Sequence, residues 1–277
     1  MKYSVLMSVY AREKPEYLRE SMMSILTQTV PTDDFVLVCD GPLDDGLNAC
    51  IAEMRDKFGG TLSVVRLETN VGLGGALNIG LAHCRHELVG RMDSDDISFR
   101  HRFERQLAVM RQNPELSILS GTVLEFRGDA SRVIGRRELP ETDREIRRYA
   151  RRRCPFNHPA VMFRKSVIER AGGYRTRGLR FEDYDLWNRV LSAGGRGYNI
   201  PEPVLFMRTS EDFYVRRGGL AYAREVLRFR WEMYARGWSG PWDFLAGAVL
   251  QTAVCLSPNW VRKAVYRRLH AAEDRIG

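Results

Sequence analysis

Asp93, Asp95 and Asp96 crowd the end of a short apolar run, residues 88–92. Like charges at this spacing repel, so folding alone does not select them. The pattern Asp93-Ser94-Asp95 sets two carboxylates on one side of an extended turn. A hard divalent cation takes such oxygen ligands and completes its shell with water and phosphate. Aspartate also favours helix starts. Asp96 is read that way, as the cap of the helix that leads to Arg102 and Phe103, and not as a ligand. An EF-hand is excluded, because the glycine and the later glutamate of that loop are missing.

A second acidic group, Glu182, Asp183 and Asp185, opens "FEDYDLWNRV". The helix dipole accounts for one acid at a helix start; three beside an aromatic exceed that need. A carboxylate at a pocket edge can act as general base. Trp187 offers either an apolar surface for a sugar ring or a core side chain. In "NVGLGGALNIG", residues 70–80, Leu77 stands where a dinucleotide loop needs its third glycine. Those glycines permit a close ligand approach or simply a tight turn, but a turn explains Asn70 and Asn78 less well. His158, alone before a strand, reads as structural.

The elements that must carry these residues follow from periodicity. Apolar runs at Ser4–Val9, Phe35–Cys39, Leu62–Arg66 and Leu88–Met92 predict four strands. Helical spacing begins at Pro15, spans about Leu47–Phe58, follows Asn70, and returns over Phe103–Arg111. Repeated β-α-β units imply a parallel sheet with helices on both faces. Ligands then bind beyond the carboxyl ends of the strands. Tyr10–Glu13, Asp40, Glu68–Gly72 and Asp93–Asp96 all collect at that edge. Farther on, Ile118–Ser120 and Val123–Phe126 read as strands. "TDREIRRYARRR" reads as a basic helix, residues 158–174 as a strand and a helix, and residues 182–195 as a helix ended by glycine. Two or three Arg-rich amphipathic helices come after about Phe213.

The 277 residues carry a net charge of +8, which suits an anionic partner. Nucleic acid is not expected, since the basic helix lacks interleaved aromatics for base stacking. Five scattered cysteines without a C-x-x-C pair argue against a zinc site or disulfide framework and for a reducing cytosol. The N-terminus lacks the apolar core of a secretory signal. Phe244–Leu256 is too short to span a bilayer. With Trp and Arg nearby in "PWDFLAGAVLQTAVCLSPNWVRKAVYRRL", it reads either as an interfacial helix or as a helix packed on the catalytic domain or a second subunit.

Taken together, "SVLMSVYAREKPEYLRESMMSILTQT", "VCDGP", "NVGLGGALNIGL", "RMDSDD", "RFERQ", "HPAVMFRKS" and "FEDYDLW" resemble the inverting family 2 glycosyltransferases of GT-A fold. The nearest likeness is to bacterial capsule and exopolysaccharide transferases of the amylovoran type. The motifs keep family order over about residues 3–210. The resemblance implies an α/β GT-A catalytic domain over 1–212 and a basic helical extension over 213–277. It implies a nucleotide-diphospho-sugar donor, UDP-linked, and a saccharide or lipid-linked acceptor in surface polysaccharide assembly. It also implies a cytoplasmic enzyme, peripheral on the inner face of an anionic plasma membrane. Val9, Tyr10, Glu13 and Asp40 would hold the base. Asn70, Gly72 and Asn78 would line the nucleoside pocket, with Arg91 and Asp93 also on the donor. Asp93 and Asp95 would bind Mn²⁺ or Mg²⁺. Asp183 would be the catalytic base, with Glu182 and Trp187 on the acceptor. Many family members supply a further metal-binding histidine after the acidic helix. The corresponding "FMRTSEDFYVRRGG" has none, and Arg208, Arg216 and Arg217 are candidates for replacing its charge. Two other readings compete. A sugar-nucleotide pyrophosphorylase would need a glycine-rich basic loop after the first strand, where "VYAREKPEY" has no glycine. A non-catalytic anion or membrane binder would leave Asp93, Asp95 and Asp183 without a purpose.

Overall fold

The computed structural model describes residues 1–176, 180–209 and 219–258. Its first half alternates β1 (Ser4–Val9), α1 (Pro15–Leu26), β2 (Asp34–Cys39), α2 (Asp45–Phe58), β3 (Leu62–Arg66), α3 (Leu73–His83) and β4 (Leu88–Asp93). These strands pair in parallel in the order β3-β2-β1-β4. Apolar residues dominate β1, β2 and β4 because both faces of these strands are covered, whereas the edge strand β3 is only partly buried. Val5, Met7, Phe35 and Leu37 enter a core beneath α1, α2 and α4 (Arg102–Gln112). Leu6, Val36 and Val38 enter the opposite core, beneath α3. Gly90 admits the Phe103 ring against β4, where a Cβ would stand 2.3 Å from the ring.

The second half comprises β5 (Ile97–Ser98), β6 (Leu116–Phe126), β7 (Val133–Arg137), α5 (Asp143–Tyr149), β8 (Met162–Arg164), α6 (Lys165–Arg170), α7 (Glu182–Ser192) and β9 (Arg196–Arg208). It extends the sheet as β4-β8-β6-β9-β5, with β7 on β6. β8 runs antiparallel to β4 and β6, whereas β6 and β9 are parallel. Two differences from the sequence reading have a common cause. The two short strands expected near residue 120 are one, β6, and β9 lies where no strand was expected because Pro201 and Pro203 interrupt the run. The register of β6 against β9 shifts around Gly121–Val123, opposite those prolines. An irregular ladder there tolerates residues with no N–H to donate.

The basic helix α5 is shorter than expected, ending at Tyr149. Thr142 and Glu145 cap its start reciprocally. The expected C-terminal helices are present as α8 (Leu220–Ala235) and α9 (Pro241–Leu256). The backbone N–H of Gly219 donates to the Cys255 carbonyl at 3.1 Å, and Phe244 lies against Trp231 and Tyr234. The two helices therefore form an antiparallel hairpin. Residues 210–218, with Arg216 and Arg217, and the expected third helix lie outside the described residues.

Candidate active site

β4 ends in the acidic turn. Asp93, Asp95 and Asp96 present carboxylate oxygens that all lie within 4.8 Å of one another. The turn is held from three sides. Ser21 of α1 donates to the Asp93 carbonyl at 2.8 Å, Ser94 donates to the Glu13 carboxylate at 2.5 Å, and the Arg208 backbone N–H donates to Asp96 at 2.8 Å. Burial, then Asp93 and Glu13, push the Asp95 carboxyl up to about 7. Burial, then Asp95 and Asp93, raise Asp96 as well, against the opposing hydrogen bond from Arg208. One buried oxygen of Asp96 has no partner. Concentrated carboxylates with a spare buried acceptor fit a divalent cation, which would relieve their repulsion.

Asp96 therefore stands with Asp93 and Asp95. It caps no helix: α4 begins six residues later, behind His101. Arg208 also departs from its expected role. Its guanidinium donates to the Asp95 carbonyl at 2.9 Å and to Glu20 at 2.5 Å, and lies over the Tyr17 ring at 3.8 Å. It clamps the acidic turn to α1 and is not spare charge for a phosphate.

Arg91 lies two residues before Asp93 on the same strand face, buried, with one guanidinium nitrogen donating to the Asp93 carboxylate. Its Nε and Nη1 have no partner. Burial raises Asp96, Glu182 and Asp183, and the Arg91 charge opposes that rise in all three, so it acts on both acidic groups. Asp183, at the first turn of α7, accepts from the Tyr184 backbone N–H at 2.7 Å and from the Cys154 thiol at 3.5 Å. Burial raises its carboxyl above the ordinary range, and those contacts oppose the rise. Burial and Asp183 push Glu182 up to about 6, and one of its oxygens is buried without a partner.

The third acid of that helix has another purpose. Asp185 is fully buried in ion pairs with Arg189 at 2.8 Å and Arg175 at 3.1 Å, which bind α7 to its surroundings. Trp187 is also fully buried, among the rings of Phe156, His158, Phe163 and Tyr174. It is core and has no surface for an acceptor. His158 is structural, as expected, and pairs with the Tyr174 hydroxyl at 3.0 Å.

The loops after β1, β2 and β3 meet beside the acidic turn. The Asp40 backbone N–H donates to the Val9 carbonyl at 2.8 Å, and the Asp40 carboxylate accepts from the Asn70 amide at 3.0 Å and the Val71 N–H at 2.7 Å. Gly41 makes this approach possible: φ is +88°, and a Cβ would stand 2.9 Å from the Asn70 nitrogen. Tyr10 is exposed at the rim, and Gly72 opens α3 with open space on its Cβ side. Asn78 is set apart. Both ends of its amide bond the Tyr174 backbone at 2.7 Å, so it ties α3 to the segment before α7 and does not face a nucleoside. Cys154 and Tyr174 carry no local signal that marks them as neighbours of the site.

The glycosyl transferase family 2 model matches residues 4–172. The chain is 37% identical over 97% of its length to UDP-Gal:alpha-D-GlcNAc-diphosphoundecaprenol beta-1,3-galactosyltransferase of Escherichia coli, 96% of which is covered. It is 39% identical over 82% of its length to the amylovoran biosynthesis glycosyltransferase AmsE of Erwinia amylovora, 84% of which is covered. Among solved structures, the mannosyltransferase PcManGT of Pyrobaculum calidifontis, in complex with GDP-Man and Mn²⁺, superposes with a TM-score of 0.65 at 17% identity, over 97% of this chain and 80% of that one. Residues 1–349 of S. aureus TarS, in complex with UDP-GlcNAc, superpose with a TM-score of 0.62 at 19% identity, over 84% and 66%. The fold is thus that of these transferases.

Proposed function

We propose, from the premise that this chain belongs to glycosyl transferase family 2, that it transfers a hexose with inversion from a UDP-sugar to a hydroxyl of a lipid-diphosphate-linked saccharide in surface polysaccharide assembly. The observation that carries the reading is the Arg91 guanidinium, which couples an acidic turn suited to a cation to the half-buried carboxylates of Glu182 and Asp183 within one site. The relative that acts from UDP-Gal on a diphosphoundecaprenol-linked GlcNAc, 96% of which is covered, supports the donor and acceptor class. We divide the chain into a catalytic unit, 1–212, and a helical extension, 213–277. The enzyme works at the inner face of the plasma membrane.

Asp40 and Asn70, with the Val9–Glu13 loop and Gly72, receive the nucleoside. Asp93, Asp95 and Asp96 would hold Mn²⁺ or Mg²⁺, which supplies charge neutralisation on the leaving diphosphate. Glu182 positions the acceptor. Asp183 takes the proton of the acceptor hydroxyl as its oxygen forms the bond to the anomeric carbon. The bond from that carbon to the diphosphate oxygen breaks on the opposite face, releasing UDP and inverting the centre. Arg91 holds Asp93 in place and favours the ionised form of Asp183 against burial.

The test is a panel of UDP-, GDP- and TDP-sugars, read by protection against thermal unfolding and then by turnover with a GlcNAc-diphospholipid acceptor. A ligand that binds the native state raises its stability. UDP-hexoses should protect and turn over. Protection by GDP- or TDP-sugars alone would overturn the donor class.

A further inference from the structure

Helix α9 is amphipathic the wrong way round for a helix that packs on a soluble domain. Trp242, Leu245, Val249, Leu250 and Leu256 recur at helical spacing and face outward, with Trp242 79%, Val249 63% and Leu250 67% exposed. The polar residues face the protein. Asp243 pairs with Arg152 at 2.6 Å, and Gln251 accepts from Arg230 at 2.9 Å. A helix that packed only on the body would bury the apolar stripe instead. The stripe continues onto α8, where Leu220, Leu227, Trp231 and Tyr234 are exposed. Trp231 and Tyr234 meet Phe244 at ring centroid distances of 5.9 and 5.4 Å, which joins the two helix faces.

Cations border this face. Arg224 and Arg228 are exposed on α8 at helical spacing from Leu227 and Trp231, Arg228 paired with Glu232 at 3.3 Å, and the exposed Arg152 meets the start of α9 through Asp243. Tryptophan and aliphatic side chains rimmed by arginine match the boundary between acyl chains and anionic headgroups. No helix among the described residues is long and apolar enough to cross a membrane. We infer that the outer face of the α8–α9 hairpin seats the enzyme on an anionic lipid bilayer, with the apolar stripe among the acyl chains and the arginines at the headgroups.

The hairpin also reaches the site. Phe229 of α8 stacks on Phe181 at 4.8 Å and packs on Tyr184 at 5.1 Å, the residues that flank Glu182 and Asp183. A bilayer docked on the outer face therefore lies across the hairpin from the catalytic carboxylates, on the side from which a lipid-linked acceptor would present its sugar. This last link rests on the function proposed above. The docking face itself does not.

Two assays keep these apart. The full chain is sedimented with phosphatidylcholine vesicles, with and without phosphatidylglycerol. Its turnover is measured separately on a water-soluble short-chain acceptor. The chain should sediment with phosphatidylglycerol vesicles, less so at high salt. The Val249→Asp/Leu250→Asp variant should lose roughly tenfold or more of that partition while keeping its melting temperature and short-chain turnover. Arg224→Gln/Arg228→Gln should weaken binding only where phosphatidylglycerol is present. Wild-type protein left in the supernatant, or a Val249→Asp/Leu250→Asp variant that sediments like wild type, would overturn the proposal. So would a stable dimer that this variant dissociates with no change in vesicle binding. Vesicle binding without sugar transfer would instead count against the catalytic reading alone.

Discussion

Arg91 and Asp93 stand two residues apart on one face of β4, and the buried guanidinium donates to the carboxylate that begins the acidic turn. The same guanidinium opposes the rise that burial imposes on the carboxyls of Glu182 and Asp183, which arrive from α7. Replacing Arg91 by methionine should therefore damage both halves of the site. Arg91 is buried but Asp93 is 34% exposed, so losing this pair should cost less than a fully buried one, about 1–3 kcal/mol, which a denaturant melt will read. Arg91→Lys keeps the charge but loses the fork. It should retain more stability than methionine while lowering kcat.

Asp183→Asn keeps the shape of the side chain and removes the proton acceptor. General base catalysis contributes about 10²–10⁴-fold, so kcat should fall by that factor. Affinity for the UDP-sugar, measured by calorimetry, should change little, because Asp183 is assigned to the acceptor side.

Acid should inactivate the enzyme in a defined window. Burial pushes Glu182 up to about 6, so it gains a proton as pH falls through that range, and burial shifts the Asp183 carboxyl in the same direction. The log of kcat/KM should decline below about pH 6. The stability sign is opposite. A carboxyl whose folded value is raised binds more protons when folded, so its contribution is present at low pH and is lost as pH rises through the folded value. Glu182→Gln should then stabilise the fold at pH 7 by roughly 1–2 kcal/mol, and a pH series of melting curves checks it.

Mn²⁺ should raise the melting temperature by relieving repulsion among Asp93, Asp95 and Asp96. Saturation at about a hundred times the dissociation constant corresponds to roughly 2.7 kcal/mol. Asp95→Asn should abolish that rise. Asp96→Asn should do so too, since Asp96 sits in the cluster and one of its oxygens is buried without a hydrogen-bond partner. If Asp96→Asn kept the full Mn²⁺ response, the cluster would comprise Asp93 and Asp95 alone.

The parallel half of the fold was legible in the sequence because runs such as "FVLVC" are apolar without a break, and their ends place the acidic residues on one edge. The rest depends on partners far along the chain. Asn78 finds Tyr174, Asp96 finds Arg208, and Cys154 finds Asp183, and no local pattern announces any of these meetings. Asp96 resembles a cap only while the helix start is placed close behind it. Pro201 and Pro203 hide β9 because the ladder irregularity that accommodates them lies in β6. Trp187 beside acids resembles a sugar platform, but residue type does not say which way a helix face points, and this one points inward.

The most direct test is the anomeric configuration of the first product, read by proton NMR after transfer from an α-linked UDP-hexose to a GlcNAc-diphospholipid. In-line attack by an acceptor hydroxyl deprotonated by Asp183 yields a β-linked product. An α-linked product would contradict the account.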